Sequence, residues 1–454
     1  ERLSVLLASG AKDEAGRLVH TLKGVAASRQ MAEIAALART LEDRLQADAA
    51  VLPLFHENEY RLASHRVHRL VLQSGAPFMN FESVGKTPAP TASSRRGRGG
   101  GRINVPVPVG CDLRTLDPSV IRMDLESEVL GTVFEPLLRN PDGARVIPWL
   151  AKSYDVEDGG RRIRFTLRDD VIFHNGRSLT ARDVRFSFER VMRNPDSVFR
   201  WHLAPIRGAT AMLNGSGNEL EGFRILSRLE FTIELDYPVA FFPSLLTDPA
   251  VAIVPEGSSP QSGVWRDAAV GTGPFHVVRF QPGERLELGA NLTYWREGLP
   301  RADELVFTFG NTPQMTADSF RSGRASIAWN LLPEDEASLR TDPAVAASYS
   351  EAPGLQTVIL AFNTHRGPLA DEAIRQHIVS SLDVEAIVRR AAGPYAAVAS
   401  GIVPPGLIGH SGSLRTTGSA IRPAPLARDI ELSCLMRPLY SEGSEAALRE
   451  GYQP

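Results

Sequence analysis

The chain has 454 residues, 43% of them hydrophobic, and a formal net charge of −3. That length exceeds what one hydrophobic core usually serves and predicts two or more lobes, while the near balance of charge argues against a nucleic-acid-binding body. No apolar run reaches the length of a transmembrane helix, and Cys111 and Cys434 define no disulfide framework, although one bridge between them stays open.

Residues 1–47 carry helical periodicity. Leu18, Leu22 and Val25 share one face and leave His20 and Lys23 on another, and Ile34, Leu37, Leu41 and Leu45 form a second stripe. Gly10-Ala11 makes a break ahead of Lys12-Asp13-Glu14. The chain opens at Glu1 without a charged-then-apolar leader and closes on Glu450-Gly-Tyr-Gln-Pro454 after what reads as a helix start, so a fragment is expected, with any secretory signal lying upstream.

The run His20-Thr-Leu-Lys-Gly24 followed by Val25-Ala-Ala-Ser28 resembles the phosphoacceptor helix of histidine phosphotransfer domains. The resemblance implies that His20 accepts a phosphoryl group from a response regulator, with Lys23 offsetting charge and Gly24 leaving room for the partner. Imidazole is nucleophilic at neutral pH, which suits that chemistry. A helix carrying an incidental histidine fits the same residues.

From Asp48 the pattern turns to strands, with Ala50-Val-Leu-Pro-Leu-Phe55 first and further segments at Val67–Leu72 and Phe78–Phe81. His56, His65 and His68 are not spaced as a metal site, and no cofactor is implied. Residues 48–83 resemble the closing segment of family 5 solute-binding proteins, the peptide- and nickel-binding components of ABC importers. Helix 31–47 suits that role as well as the phosphotransfer one, so the two resemblances compete for it. Residues 84–102, rich in Gly, Pro, Ser and Arg, predict a disordered tether.

The body, 103–454, opens with a strand at Ile103-Asn-Val-Pro-Val107. A helix is expected to carry Leu125, Val129, Val133 and Leu137, and a strand to alternate Ile163, Phe165 and Leu167. Val171–Arg177 predicts a strand and turn, and Thr180-Ala-Arg-Asp183 a capping box that starts the next helix. Phe231–Leu235 predicts another strand. Gly271-Thr-Gly-Pro-Phe275 then predicts a glycine-rich loop feeding a hairpin, with Val278 and Phe280 on one face, a Pro282-Gly283 turn, and Leu286 and Leu288 on the return. Strands at Glu304–Gly310 and Thr357–Asn363 and a helix with Ile374, Ile378 and Leu382 follow.

Thr115-Leu-Asp-Pro118, Phe134-Glu-Pro-Leu137, Phe173-His-Asn-Gly176 through Phe186, Gly271–Phe275 with Tyr294-Trp295, and Phe362-Asn-Thr364 through Arg375 stand in one order. Each is weak alone; in that order they strongly resemble family 5 solute-binding proteins. The resemblance implies an α/β fold of the two-lobed periplasmic binding-protein type, with a first lobe and subdomain at about 103–350 and the start of an incomplete second lobe at about 355–454, behind the N-terminal α-helical segment. It implies an oligopeptide or similar small solute bound in a cleft without covalent chemistry, an ABC permease as partner, and a periplasmic or other extracytoplasmic location.

Carried over by position, the implied ligand-binding residues are Cys111, Asp112, Leu113, Trp201, Thr272, Gly273, Trp329, Asn330 and His56. Plain alternatives stand beside them: Trp329 as core, Asp112 as a turn cap, and Tyr294-Trp295 as packing. Leu432–Tyr440 reads as the first strand of a continuing lobe. Residues 50–83 are expected to dock on the body in place of its own closing segment, through either a fusion or a permuted order. The competing functional reading joins a phosphotransfer His20, Lys23 and Gly24, with a response regulator as partner, to a ligand-sensing body inside the cell. No residue pattern favours an enzyme.

Overall fold

The computed structural model describes residues 32–73, 79–87, 100–111, 113–122, 124–141, 145–258, 269–346, 349–391, 396–405, 407 and 410. His20, Lys23, Gly24, Asp112, Cys434 and the expected strand at 432–440 lie outside the described residues. The chain divides into two units, one of residues 1–59, 332–334 and 351–454, the other of 60–331 and 335–350.

The larger unit holds two adjoining α/β cores. In the first, strands β4 (Arg102–Pro108), β11 (Phe275–Gln281), β12 (Arg285–Ala290) and β13 (Glu304–Asn311) form a sheet in the order β11-β12-β13-β4, with β13 and β4 parallel. Ile103, Val105 and Val107 alternate into a core shared with Leu286, Leu288, Leu305 and Phe307. In the second, β7 (Ala151–Glu157), β8 (Arg162–Leu167), β9 (Phe223–Ile225) and β10 (Glu230–Glu234) form the antiparallel order β7-β8-β10-β9. Ile163, Phe165, Phe231 and Ile233 of that sheet pack with Val184, Phe188 and Val191 of helix α3 (Ala181–Arg193). The expected capping box starts α3: the Thr180 N–H and hydroxyl donate to Asp183 at 2.8 and 2.7 Å.

The smaller unit packs helix α1 (Ala32–Ala47), residues 51–59 of strand β1 (Val51–Ala63), residues 351–361 of strand β15 (Tyr349–Ala361), helices α6 (Glu372–Ser381) and α7 (Val384–Ala391), and strand β16 (Ala396–Val398). Here Phe55 pairs with Val398, and Leu52, Leu54 and Phe55 bury against Val384, Ile387 and Val388. The Arg375 guanidinium donates to the carbonyls of Asp48, Ala49, Leu369 and Ala370, tying the N-terminal segment to α6. From Tyr60 on, β1 belongs to the larger unit, where Leu62 pairs with Ala328 and Phe81 and Val84 enter the first core.

Three expectations are corrected. Helix α2 (Asp124–Leu130) stops at Leu130, short of Val133 and Leu137, because the next carbonyls are committed elsewhere: Thr132 O and Val133 O accept from Phe275 N and Gly273 N. Val278 does not share a face with Phe280. A register shift between Val277 and Arg279 turns Val278 outward, leaving it 62% exposed, while Phe280 stays buried. The tether's ends are structured, since Gly85–Lys86 form strand β3 against β2 (Val67–His68) and Arg102 already belongs to β4; residues 88–99 lie outside the described residues.

Candidate ligand-binding site

Three of the motifs converge on the glycine-rich loop of the larger unit. A Cβ on Gly271 would lie 1.9 Å from Val133 O, and one on Gly273 would lie 2.5 Å from Thr132 O, so these glycines permit contact between two backbones. The Phe173–Gly176 turn clasps the loop from the other side. His174 N donates to Gly271 O at 2.9 Å, and the His174 ring holds Gly273 O at 3.0 Å through Nε2 and Gly271 N at 3.3 Å through Nδ1. Because a carbonyl must accept and an N–H must donate, the ring is the neutral Nε2–H tautomer. Burial lowers its pKa from 6.5 to about 4, the Gly273 carbonyl working in the opposite sense.

Beneath the loop sits a buried polar hub. Glu135 accepts from Trp149 Nε1 at 2.8 Å, from the Thr272 hydroxyl at 2.8 Å and from Trp295 Nε1 at 3.2 Å. The Tyr294 hydroxyl lies 2.7 Å from Glu135 Oε1 and 3.0 Å from Glu82 Oε2. Glu82 is further paired with Arg296, and with Arg139 at 3.4 Å. Burial raises the Glu135 pKa against those hydrogen bonds, and it raises that of Tyr294 well above the ordinary phenol range, with the Glu135 and Glu82 charges adding to the shift. Cations cover the rings: Arg139 and Arg296 lie 4.2 and 4.9 Å from the Trp149 centroid, and Arg168 lies 4.3 Å from that of Trp295.

The implied ligand residues fall into separate places. The Thr272 side chain is 0% exposed and is aimed at Glu135, so it orients the loop from below. Cys111 and Leu113 are buried in the first core, and Leu113 O accepts from Gly283 N at 3.0 Å, which anchors the hairpin turn. Trp201 is half-buried on the second core, its ring centroid 3.9 Å from that of His202. Trp329 is buried under the Arg61 guanidinium, 4.5 Å from the ring centroid, and Arg61 in turn pairs with Glu128 at 3.1 Å. Asn330, half-exposed, adopts a left-handed φ of 55°, a conformation Asn tolerates better than most residues. Tyr60 borders it, its hydroxyl oxygen accepting from Leu331 N at 3.0 Å and its ring stacking on Tyr349 with centroids 6.1 Å apart.

In the smaller unit His56 is buried, with Nδ1 3.0 Å from Thr357 Oγ1. The Thr357 hydroxyl donates to Ile402 O at 2.7 Å, so its oxygen accepts from His56 Nδ1–H. On α1, Glu42 accepts from the N–H groups of Ile402 and Val403. Sequence reasoning missed Glu82, Glu135, His174 and Arg61, whose partners lie far away along the chain. Among the described residues no group of three or more His, Cys, Asp or Glu side chains is arranged to hold a metal, and no helix is long and apolar enough to cross a membrane.

Residues 145–425 match the family described as bacterial extracellular solute-binding proteins, family 5 Middle. A di/tripeptide-binding protein 2 of Pseudomonas aeruginosa is 30% identical over 288 residues, covering 61% of this chain and 53% of its own length. The glutathione-binding protein GsiB of Salmonella typhi is 24% identical over 307 residues, covering 67% of this chain and 57% of its own. The chain thus spans about half the length of the curated relatives it matches. The Escherichia coli murein tripeptide binding protein MppA shares the fold, with a TM-score of 0.57 at 22% identity over 67% of this chain and 60% of that one. OppA of Burkholderia pseudomallei also gives 0.57, at 19% identity and the same two coverages.

Residues 1–69 match the Hpt domain family. Of these, the structure describes 32–69, where α1 buries Ala38, Leu41 and Leu45 and residues 51–63 form strand β1. The fold is the mixed α/β type of two-lobed binding proteins, whose family binds solutes and does not transform them. The chain belongs to the family 5 bacterial extracellular solute-binding proteins.

Proposed function

We propose that this chain binds short peptides and acts as the solute-binding component of an ABC importer, outside the cytoplasmic membrane and with a permease as its partner. The observation carrying this reading is the 30% identity over 288 residues to a di/tripeptide-binding protein. Extended peptides are held mainly through their backbone groups, with pockets left for varied side chains. Asn330, half-exposed in the larger unit, is the implied residue proposed to meet ligand, with Trp201 a further candidate; His56, buried in the smaller unit, acts by holding Thr357. Thr272, Gly273, Cys111, Leu113 and Trp329 act by holding backbone and rings in place. A thermal-shift screen with defined dipeptides, tripeptides and glutathione tests the reading. A peptide at 100 times its Kd adds about 2.7 kcal/mol to the stability of the form it binds. A screen in which none of these raises the melting temperature overturns it.

A second reading rests on the phosphotransfer match at residues 1–69. In it His20 accepts phosphate from a response regulator, with Lys23 and Gly24 beside it, and the body senses ligand. The burial of Ala38, Leu41 and Leu45 of α1 in the smaller unit weighs against it, because a phosphotransfer bundle needs such residues for its own core. Incubation with a phosphorylated response regulator, with His20→Ala as the control, tests it. Label transfer that His20→Ala abolishes sustains the reading, and no transfer removes it.

A further inference from the structure

Strands β2 and β3 of the larger unit bring three cations to the start of β4. Lys86 stands opposite Val67 in the ladder, Thr87 N donates to Arg66 O at 2.9 Å, and Lys86 N donates to Gly100 O at 3.3 Å, two residues before Arg102. Arg66 and Arg102 both repel the charge on the half-buried Lys86 ammonium. Glu304 lies 3.8 Å from Arg102, but both side chains are open to solvent, which weakens the pair. Hydrogen-bond donors also outnumber acceptors here. Lys86 has three N–H bonds and places one on Ser326 Oγ at 2.8 Å. The same oxygen accepts from Asn104 N at 3.0 Å, so with the ammonium charged both lone pairs are filled and the hydroxyl proton must point to a further acceptor. Ser326 is 0% exposed, and among the described residues no group accepts that proton. A buried donor left without an acceptor is costly. Arg66 directs Nε and Nη2 to Thr87 O, which leaves Nη1 to donate elsewhere.

We propose that Lys86, Ser326 and Arg66 form an oxyanion-binding site that takes a phosphate group, received by Lys86 Nζ and the Ser326 hydroxyl, with Arg66 at its rim and Arg102 adding to the positive field. A phosphate presents acceptor oxygens in several directions and carries the negative charge that these cations lack, so each contact is a charge-assisted one. Neither the three residues nor the anion belongs to the peptide-binding reading, and the two stand or fall separately.

The test titrates the full chain with inorganic phosphate against chloride at equal ionic strength, which cancels general screening. The backbone amide NMR signals of Arg66, Lys86 and Ser326 are expected to move and to saturate together. Lys86→Met and Arg66→Gln are each expected to weaken phosphate by about tenfold, the loss of one charge-assisted hydrogen bond. Arg66→Gln, at the rim, keeps the test open if Lys86→Met fails to fold. A second arm measures co-sedimentation with phosphatidylglycerol vesicles. Retention that either variant abolishes, without a response to inorganic phosphate, assigns the phosphate to a lipid headgroup; a response to inorganic phosphate without retention assigns it to a soluble anion. No response in either arm overturns the proposal. Saturable binding that both variants keep overturns it as well, as do wild-type shifts that leave those three signals unmoved, because the anion then sits elsewhere.

Discussion

The Tyr294 hydroxyl lies 2.7 Å from Glu135 Oε1 within the core of the larger unit. Tyr294 has one proton to give and faces a second carboxylate, Glu82, at 3.0 Å. Two bare carboxylates cannot both accept that single proton. Glu82 is the one compensated by Arg139 and Arg296, while burial raises the Glu135 pKa against its hydrogen bonds, so Glu135 is the carboxyl whose charged form the fold favours less. A folded pKa raised above the unfolded one contributes stability that is full below the ordinary glutamate range and is lost as pH rises through the raised value. The melting temperature of the wild type relative to Glu135→Gln is therefore expected to fall as pH rises. Tyr294→Phe is expected to cost about 2 kcal/mol through the buried groups it leaves unsatisfied, read by denaturant unfolding.

His174 gives the opposite pH dependence. Its folded pKa is lowered from 6.5 to about 4, so its contribution is complete above 6.5 and fades as pH falls toward 4. Protonation would place an Nδ1–H against Gly271 N–H, two donors face to face. The shift corresponds to about 3 kcal/mol lost across that window. An NMR titration is expected to find the His174 ring neutral at pH 5, where exposed histidines are charged.

Glycine substitutions should rank by space rather than by conservatism of size. Gly271→Ala forces a methyl group into Val133 O and is expected to cost about 3 kcal/mol or more. Gly283→Ala meets nothing within 4 Å and carries only the strain of a positive φ of 71°, about 1 kcal/mol. Urea midpoints of the two variants check the order.

Removing Arg61 takes a buried cation from beside the Glu128 carboxylate. Arg61→Met is expected to destabilise the larger unit by about 3–5 kcal/mol, because Glu128 loses the guanidinium 3.1 Å away. Adding Glu128→Leu to that variant is expected to recover most of the loss. A double-mutant cycle by chemical denaturation measures the coupling.

The family was legible because its motifs hold the fold together. Phe134–Leu137, Phe173–Gly176 and Gly271–Phe275 meet at one loop, and Tyr294-Trp295 closes over the same carboxylate. The capping box at Thr180 and the alternation in β8 and β10 were local patterns and so could be read directly. Thr272 was implied as a ligand residue by its position in the family's motif; the glycines beside it serve backbone packing, and its hydroxyl turns inward to Glu135. The bulge at Val277–Arg279 broke an alternation that hydrophobicity alone presents as continuous. Arg61 and Glu82 carry no local signature, and Glu135, though inside a motif, shows nothing of its partners, since each is paired only when segments far apart in the chain are brought together.

Lys86 has a consequence for chemical probing. The sequence contains four lysines, at 12, 23, 86 and 152. Half-burial together with the neighbouring Arg66 and Arg102 lowers the Lys86 pKa. At mildly alkaline pH a larger share of its amine is therefore unprotonated and nucleophilic than on an ordinary lysine. Its bond to Ser326 and its packing against Gly101 meanwhile shield it from reagent. Acylation at this one position would thus report on the seating of the N-terminal segment, slow while strand β3 is in place and fast once it lifts away.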